Sequence, residues 1–200
     1  GAVLTQRGCQ EEALGPLRTC LNHQPNHAPA LNVLGSVLSG LGQDEEAINA
    51  LSKAAALKPN NSKIRFNLAK ACIRGEQFEL GSQTLAALIE MAPGHLDAIN
   101  AYAACLAELG RIDDAIKFLV KSVSSGLKDA GVFENLIQRL LDAKKYEDAL
   151  TYAESARAHW PDNNALLLAY ATTLRLLSRQ NDALEAFDEL VTAEPENGYF

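Results

Sequence analysis

The chain has 200 residues, 48% of them hydrophobic, and a formal net charge of −7. An acidic chain is repelled by nucleic acid and by anionic membrane, so neither is an expected partner. No apolar run approaches the roughly 20 residues that span a bilayer, and no basic-then-apolar leader opens the chain. The first residue is Gly, not Met, so an excised or processed piece is expected, one from which a leader could have been removed.

In chain order, residues 1–27 read as the later part of a repeat whose beginning is cut away. They carry Leu4, Gly8, Ala13, Leu17, Cys20 and Pro25 at positions that recur downstream. Prolines 25, 59, 93, 161 and 195 stand 34, 34, 68 and 34 residues apart, and Leu127 occupies the one slot without proline. A fixed period of this length is the mark of a repeat array. Residues 28–61, 62–95, 96–129, 130–163 and 164–197 are then five full repeats, with no insertion or deletion between them, and residues 198–200 begin another.

Within each repeat the same physical type returns at the same place. Large apolar side chains recur at Leu34, Leu68, Tyr102, Leu136 and Tyr170, and four residues later at Leu38, Cys72, Leu106, Leu140 and Leu174. A mostly small column follows the first of these (Gly35, Ala69, Ala103, Ile137, Ala171), and a second reads Ala47, Gly81, Ala115, Ala149 and Ala183. Leu51, Leu85, Leu119, Ala153 and Phe187 come four residues after that. Steps of three and four are helical, not strand-like. Small residues allow two helix backbones to approach closely. Gly42 or Gly110 breaks a repeat midway, and acidic starts such as Asp44-Glu45-Glu46 suit the positive end of a second helix. Proline after the last turn stops it. Each repeat is therefore expected to be two antiparallel helices, and the fold class all-α.

These columns resemble the tetratricopeptide repeat. Residues 28–61 fit its pattern best, with Leu31, Leu34, Gly35, Leu38, Gly42, Ala47, Leu51, Ala54 and Pro59, and the likeness covers nearly the whole chain. It implies a right-handed solenoid, an α-α superhelix in which each pair covers its neighbour's apolar face. Arg65 departs from the pattern, in a slot the family fills with a bulky apolar group; its guanidinium is expected to reach solvent over a buried stem. Residues 122–131, SVSSGLKDAG, lack the proline and are the expected place for either a shifted stacking angle or a harmless junction. Apolar ends without polar caps lead us to expect self-association.

The resemblance also implies that the first helix of each repeat lines an inner, concave wall. On SKIRFNLAKACIRG that wall is expected to carry Lys63, Phe66, Asn67, Lys70 and Arg74, while Ile64, Leu68 and Cys72 pack inward. Before it come Asn32, Val33, Ser36 and Ser39. After it come Asp97, Asn100, Ala101, Ala104 and Glu108, then Glu134, Asn135, Gln138 and Asp142, then Leu168, Thr172 and Arg175. An amide both donates and accepts, so asparagines 32, 67, 100 and 135 suit an extended peptide whose sequence is not read. A solvated helix face is the plain alternative for any one of these residues. As a group they point to a peptide or protein partner with an acidic segment. The carboxylate clamp of chaperone-binding members is not reproduced: its slots hold Asn32 and Ser36, then Asn67, then Asp97 and Ala101, and only the central Asn fits.

No chemistry of its own is expected. The chain has no Gly-rich phosphate loop, no His-Glu-x-x-His and no nucleophile elbow. Glu11-Glu12, Glu45-Glu46 and Asp113-Asp114 repeat in frame and read as helix-start charge. Cysteines 9, 20, 72 and 105 lack Cys-x-x-Cys spacing and read as small buried thiols in a reducing, cytoplasmic compartment. His23 and His27 are four apart, but Pro25 between them argues against a shared helical metal site, so they read as loop histidines. No metal or cofactor is expected. The function expected is a non-catalytic interaction scaffold, with the substrate-docking arm of a larger glycosyltransferase or sulfotransferase as the alternative.

Overall fold

The computed structural model describes residues 2–193, with side chains from residue 10 onward. The described residues form eleven helices and no strand: α1 (Ala2–His23), α2 (Ala28–Gly40), α3 (Asp44–Leu57), α4 (Ser62–Arg74), α5 (Phe78–Met91), α6 (Leu96–Glu108), α7 (Ile112–Ser124), α8 (Ala130–Asp142), α9 (Tyr146–His159), α10 (Asn164–Leu176) and α11 (Gln180–Ala193). From α2 onward, alternate helices begin at residues 28, 62, 96, 130 and 164. The proposed start of a further repeat at 198–200, and Pro195, lie outside the described residues, as do the side chains of Leu4 and Cys9.

Two local devices recur with the same period. The first is a helix N-cap. The side chains of His27, Asn61, His95, Asp129 and Asn163 each accept a hydrogen bond from the backbone N–H three residues on, at 3.0–3.3 Å. Such a bond satisfies one of the donors that a helix start leaves unpaired. For the two histidines it is ring Nδ1 that accepts, so His27 is a helix cap as well as a loop residue. The second device is a left-handed residue between paired helices: Gly42 (φ 80°), Glu76 (56°), Gly110 (73°), Lys144 (58°) and Ser178 (60°). Glycine adopts this conformation freely and the other three do so at a cost.

The chain divides into two compact units, Gly1–Cys105 and Leu106–Phe200. In the first, α2 packs on α3, α3 on α4, α4 on α5, and α2 also lies beside α4. Leu38, Ala47, Ile48, Leu51, Leu68, Ala71 and Cys72 form one buried cluster. Ala69, Leu85, Leu88, Ala98 and Cys105 form the next, with Phe66, Phe78 and Tyr102 packed against it. In the second unit, α8, α9, α10 and α11 pack in succession. There Leu150, Leu174 and Ala183, and Leu167, Ala171, Ala186 and Leu190, cluster around Tyr170 and Phe187. These core residues come largely from the recurring columns.

One expectation needs correction, and two others gain detail. Glu11 and Glu12 do not stand at a helix start, because α1 runs unbroken from Ala2 to His23 through Gly8 and Pro16. Gly8 occupies the column of Gly42, but the helix continues through it, which keeps the backbone hydrogen bonds in place. The other two pairs do stand at helix starts, Glu45-Glu46 in the first turn of α3 and Asp113-Asp114 in that of α7. Arg65 is half-buried, and its Nε donates to the Pro59 carbonyl at 2.7 Å in an exposed contact with the preceding loop. At the junction without proline, α7 stops at Ser124, where Ser122 Oγ donates to the Phe118 carbonyl and Ser125 Oγ to that of Ser122. Gly126 then takes the left-handed conformation (φ 97°) and Asp129 caps α8.

Candidate functional site

Helix α4 carries its cations on one side because its other side is committed to the core. Ile64, Leu68, Ala69, Ala71 and Cys72 are buried, which leaves Lys63, Lys70 and Arg74 exposed and Phe66 and Asn67 half-buried. Helix α2 lies alongside, and Asn67 Nδ2 donates to Asn32 Oδ1 at 2.9 Å across the furrow between the two. The two asparagines expected to hold a peptide therefore hold each other. Each amide still has a free function, one donor NH2 group and one acceptor oxygen, whichever way the pair is turned.

This bond divides the α2–α4 furrow into two concavities. One, of about 190 Å³, is lined by Ser36, Ser39, Gly40, Asn67, Lys70 and Arg74. The other, of about 320 Å³, is lined by Ala28, Pro29, Asn32, Val33, Lys58, Asn61, Lys63 and Ile64. Lys58, Lys63 and Lys70 pair with no carboxylate among the described residues. Arg74 Nε stands 3.5 Å from Asp44 Oδ1, an oxygen that is buried and has no hydrogen-bond partner. The furrow is thus cationic at both ends, with one carboxylate offsetting part of the charge at the Arg74 end. Phe66 is less open than an aromatic platform. Its ring packs on His95 with centroids 4.8 Å apart, and Lys70 Nζ lies 5.2 Å from its centroid, a cation–π contact that steadies the ammonium over the ring.

Asn100 is half-buried on α6 and Asn135 half-buried on α8. Gln138, on α8 in the second unit, donates through Nε2 to Asp142 Oδ1 at 2.8 Å. It lines a furrow between α8 and α10 with Glu134, Leu141, Ala165, Leu168, Ala169 and Thr172. The first unit therefore gathers Asn32, Lys63, Asn67, Lys70 and Arg74 around one furrow, while Phe66 lines neither concavity and packs on His95. Asn135 and Gln138 belong to the second unit, where the corresponding furrow is acidic and apolar. Sequence reading missed Pro29 and Lys58 as lining residues. Lys58 follows α3 and reaches the α2–α4 furrow only through the fold, so no pattern in its own neighbourhood marks it.

Elsewhere the charged groups serve the scaffold. Arg157 sits over the Tyr170 ring, 4.7 Å from its centroid, and pairs with Glu189 at 2.8 Å. Lys145 bonds Asp113 and holds its carboxyl below the usual carboxylate range. Burial, helped by the neighbouring Cys105, pushes the Cys72 thiol up to about 11, so at neutral pH it is a packed thiol with little thiolate to react. Among the described residues no cluster of three or more His, Cys, Asp or Glu side chains is placed to hold a metal ion, and no helix is long and apolar enough to cross a membrane.

Residues 1–124 match the family model described as "Cytochrome c-type biogenesis protein H TPR domain", and residues 135–198 match that of the tetratricopeptide repeat. The chain belongs to the tetratricopeptide repeat family. As a tetratricopeptide protein it is an all-α solenoid of a class whose members are interaction scaffolds and generally non-catalytic. The BBSome complex member BBS4 homolog of Drosophila melanogaster is 28% identical over 133 residues, covering 66% of this chain and 27% of its own. The TPR repeat-containing protein YpiA of Bacillus subtilis is 21% identical over 197 residues, 98% of this chain and 47% of its own. The chain thus spans less than half the length of either relative. The crystal structure of YrrB, described as a TPR protein with an unusual peptide-binding site, superposes with a TM-score of 0.65 at 14% identity, covering 90% of this chain and 93% of that one. At that identity the likeness is one of fold.

Proposed function

We propose that this chain is a non-catalytic scaffold whose α2–α4 furrow binds an extended peptide segment bearing acidic side chains. The observation that carries this reading is the set of three lysines, 58, 63 and 70, left without carboxylate partners among the described residues, on both sides of an asparagine pair with one donor and one acceptor to spare. Surface lysines gain little from isolated pairing, but several cations converging on one furrow attract an oppositely charged segment and orient it. The amide pair adds main-chain bonds that are indifferent to sequence. That YrrB is described as having a peptide-binding site supports the class of ligand without placing it here.

The test is a fluorescence-polarisation titration of a labelled acidic peptide against the wild-type chain and a Lys70→Glu/Arg74→Glu variant. Charge-assisted contacts of this kind predict a loss of about 1–3 kcal/mol, roughly fivefold to more than a hundredfold in Kd. Added salt should weaken the wild-type complex. Equal affinity for wild type and variant refutes this placement of the ligand.

A further inference from the structure

The two concavities of the furrow differ in chemistry, and their separation is fixed by the helices that make them. On α4, one is lined around Lys63 and Ile64, the other around Lys70; on α2, one is lined around Pro29 and Val33, the other around Ser36 and Gly40. Both helices place the pockets about seven residues apart, a run of about 10 Å at the helical rise. The Lys63 pocket sets the aliphatic side chains of Pro29, Val33 and Ile64 among Asn32, Asn61 and two exposed lysines, 58 and 63, with Val33 47% exposed. The Lys70–Arg74 pocket has no aliphatic residue in its lining, which is Ser36, Ser39, Gly40, Asn67, Lys70 and Arg74.

Resting on the reading that this furrow binds an acidic segment, we propose that it recognises a spacing. One carboxylate side chain enters the Lys70–Arg74 pocket, and an aliphatic side chain three residues away in the same segment enters the Pro29–Val33–Ile64 pocket. A polyproline II backbone repeats every three residues at about 3.1 Å each, so it puts positions i and i+3 on one side about 9 Å apart. A β-strand returns to the same side after two or four residues, about 7 or 13 Å away, and fits the pockets less well. Polyproline II also leaves its backbone N–H and C=O groups unbonded, and the Asn32–Asn67 pair between the pockets has one donor and one acceptor to offer them. The acid is a carboxylate and not a phosphoryl group, because Asp44 beside Arg74 leaves the two-cation pocket with a net single positive charge.

The experiment uses peptides of identical composition, each with one Glu and one Leu in a Pro- and Ser-containing context, at spacings i,i+2, i,i+3 and i,i+4. They are titrated against the wild-type chain and against Val33→Asn, a substitution at an exposed site that leaves the core intact. The i,i+3 peptide should bind the wild type about tenfold more tightly than the other two, the gain of burying one aliphatic side chain. Val33→Asn should erase that preference while a Glu-rich peptide still binds. Equal affinities at all three spacings, or a preference for i,i+2 or i,i+4, overturn the spacing and leave the acidic furrow standing. Tighter binding when phosphoserine replaces Glu overturns the carboxylate. Failure of every acidic peptide to bind removes both readings together.

Discussion

Replacing Gly35 and Gly81 by alanine in separate variants should move stability in opposite directions, although both glycines sit inside helices. The first gain is common to both: alanine is favoured over glycine in a helix by about 1 kcal/mol. The surroundings then decide. A Cβ on Gly81 would meet nothing closer than Cys105 Sγ and Cys72 Cβ at 3.5 Å, ordinary contact distance. A Cβ on Gly35 would fall 2.4 Å from Leu51 Cγ and 3.0 Å from the Ala47 carbonyl oxygen. Leu51 is fully buried, and the atom in the way is the branch point of its side chain, not a free end. Its relief requires a rotamer change in a filled core or a widening of the α2–α3 contact, which costs about 1–3 kcal/mol. Gly81→Ala should therefore stabilise by about 0.5–1 kcal/mol, and Gly35→Ala should destabilise by up to about 2 kcal/mol after the helical gain is deducted. Urea unfolding followed by far-ultraviolet circular dichroism reads both. Gly35→Ala with a midpoint at or above wild type would refute the close α2–α3 packing from which the signs were derived.

Other consequences follow from the recurring devices. Asn163→Ala and Asp129→Ala each remove a helix cap and should cost about 1 kcal/mol in chemical denaturation; caps without effect would mean that the N–H groups find other partners. Lys144 is exposed and left-handed, so Lys144→Gly should raise stability by about 0.5–1 kcal/mol, and a fall in the midpoint would show the turn is not strained. Asp113 titrates below the usual range because Lys145 bonds and attracts it. A depressed carboxyl contributes stability that is present above its unfolded value and lost as pH falls through the folded one. The Tm difference between wild type and Asp113→Asn should thus be present near neutral pH and vanish once the pH falls below the usual carboxylate range and through the folded value; a difference that persists in strong acid would assign it to packing instead of charge.

The helix pairs were legible in the sequence because the core columns, Leu38 to Leu174 and Ala47 to Ala183, are apolar and keep their period without slippage. Much of the rest was hidden by chemistry that changes while geometry does not. The left-handed position is visible where Gly42 and Gly110 fill it, and invisible where Glu76, Lys144 and Ser178 do. The cap column escaped notice because His27 and His95 do the work of asparagine through Nδ1; laying residues 27, 61, 95, 129 and 163 side by side would have exposed it. Which side of α4 stays out of the core was readable from steps of three and four, but the Asn32–Asn67 bond was not, since a helix period says which side a residue faces and not which neighbour it meets. Arg65 turned back to Pro59 for a similar reason: a carbonyl left free by the loop offered it a partner.

The most direct test of the account is a two-dimensional 15N–1H spectrum of the intact chain during titration with an acidic peptide. Shifts concentrated on α2 and α4, with the side-chain amides of Asn32 and Asn67 among the first to move, are the predicted result. Shifts confined to α3 and α5, or to residues 106–193, would contradict it.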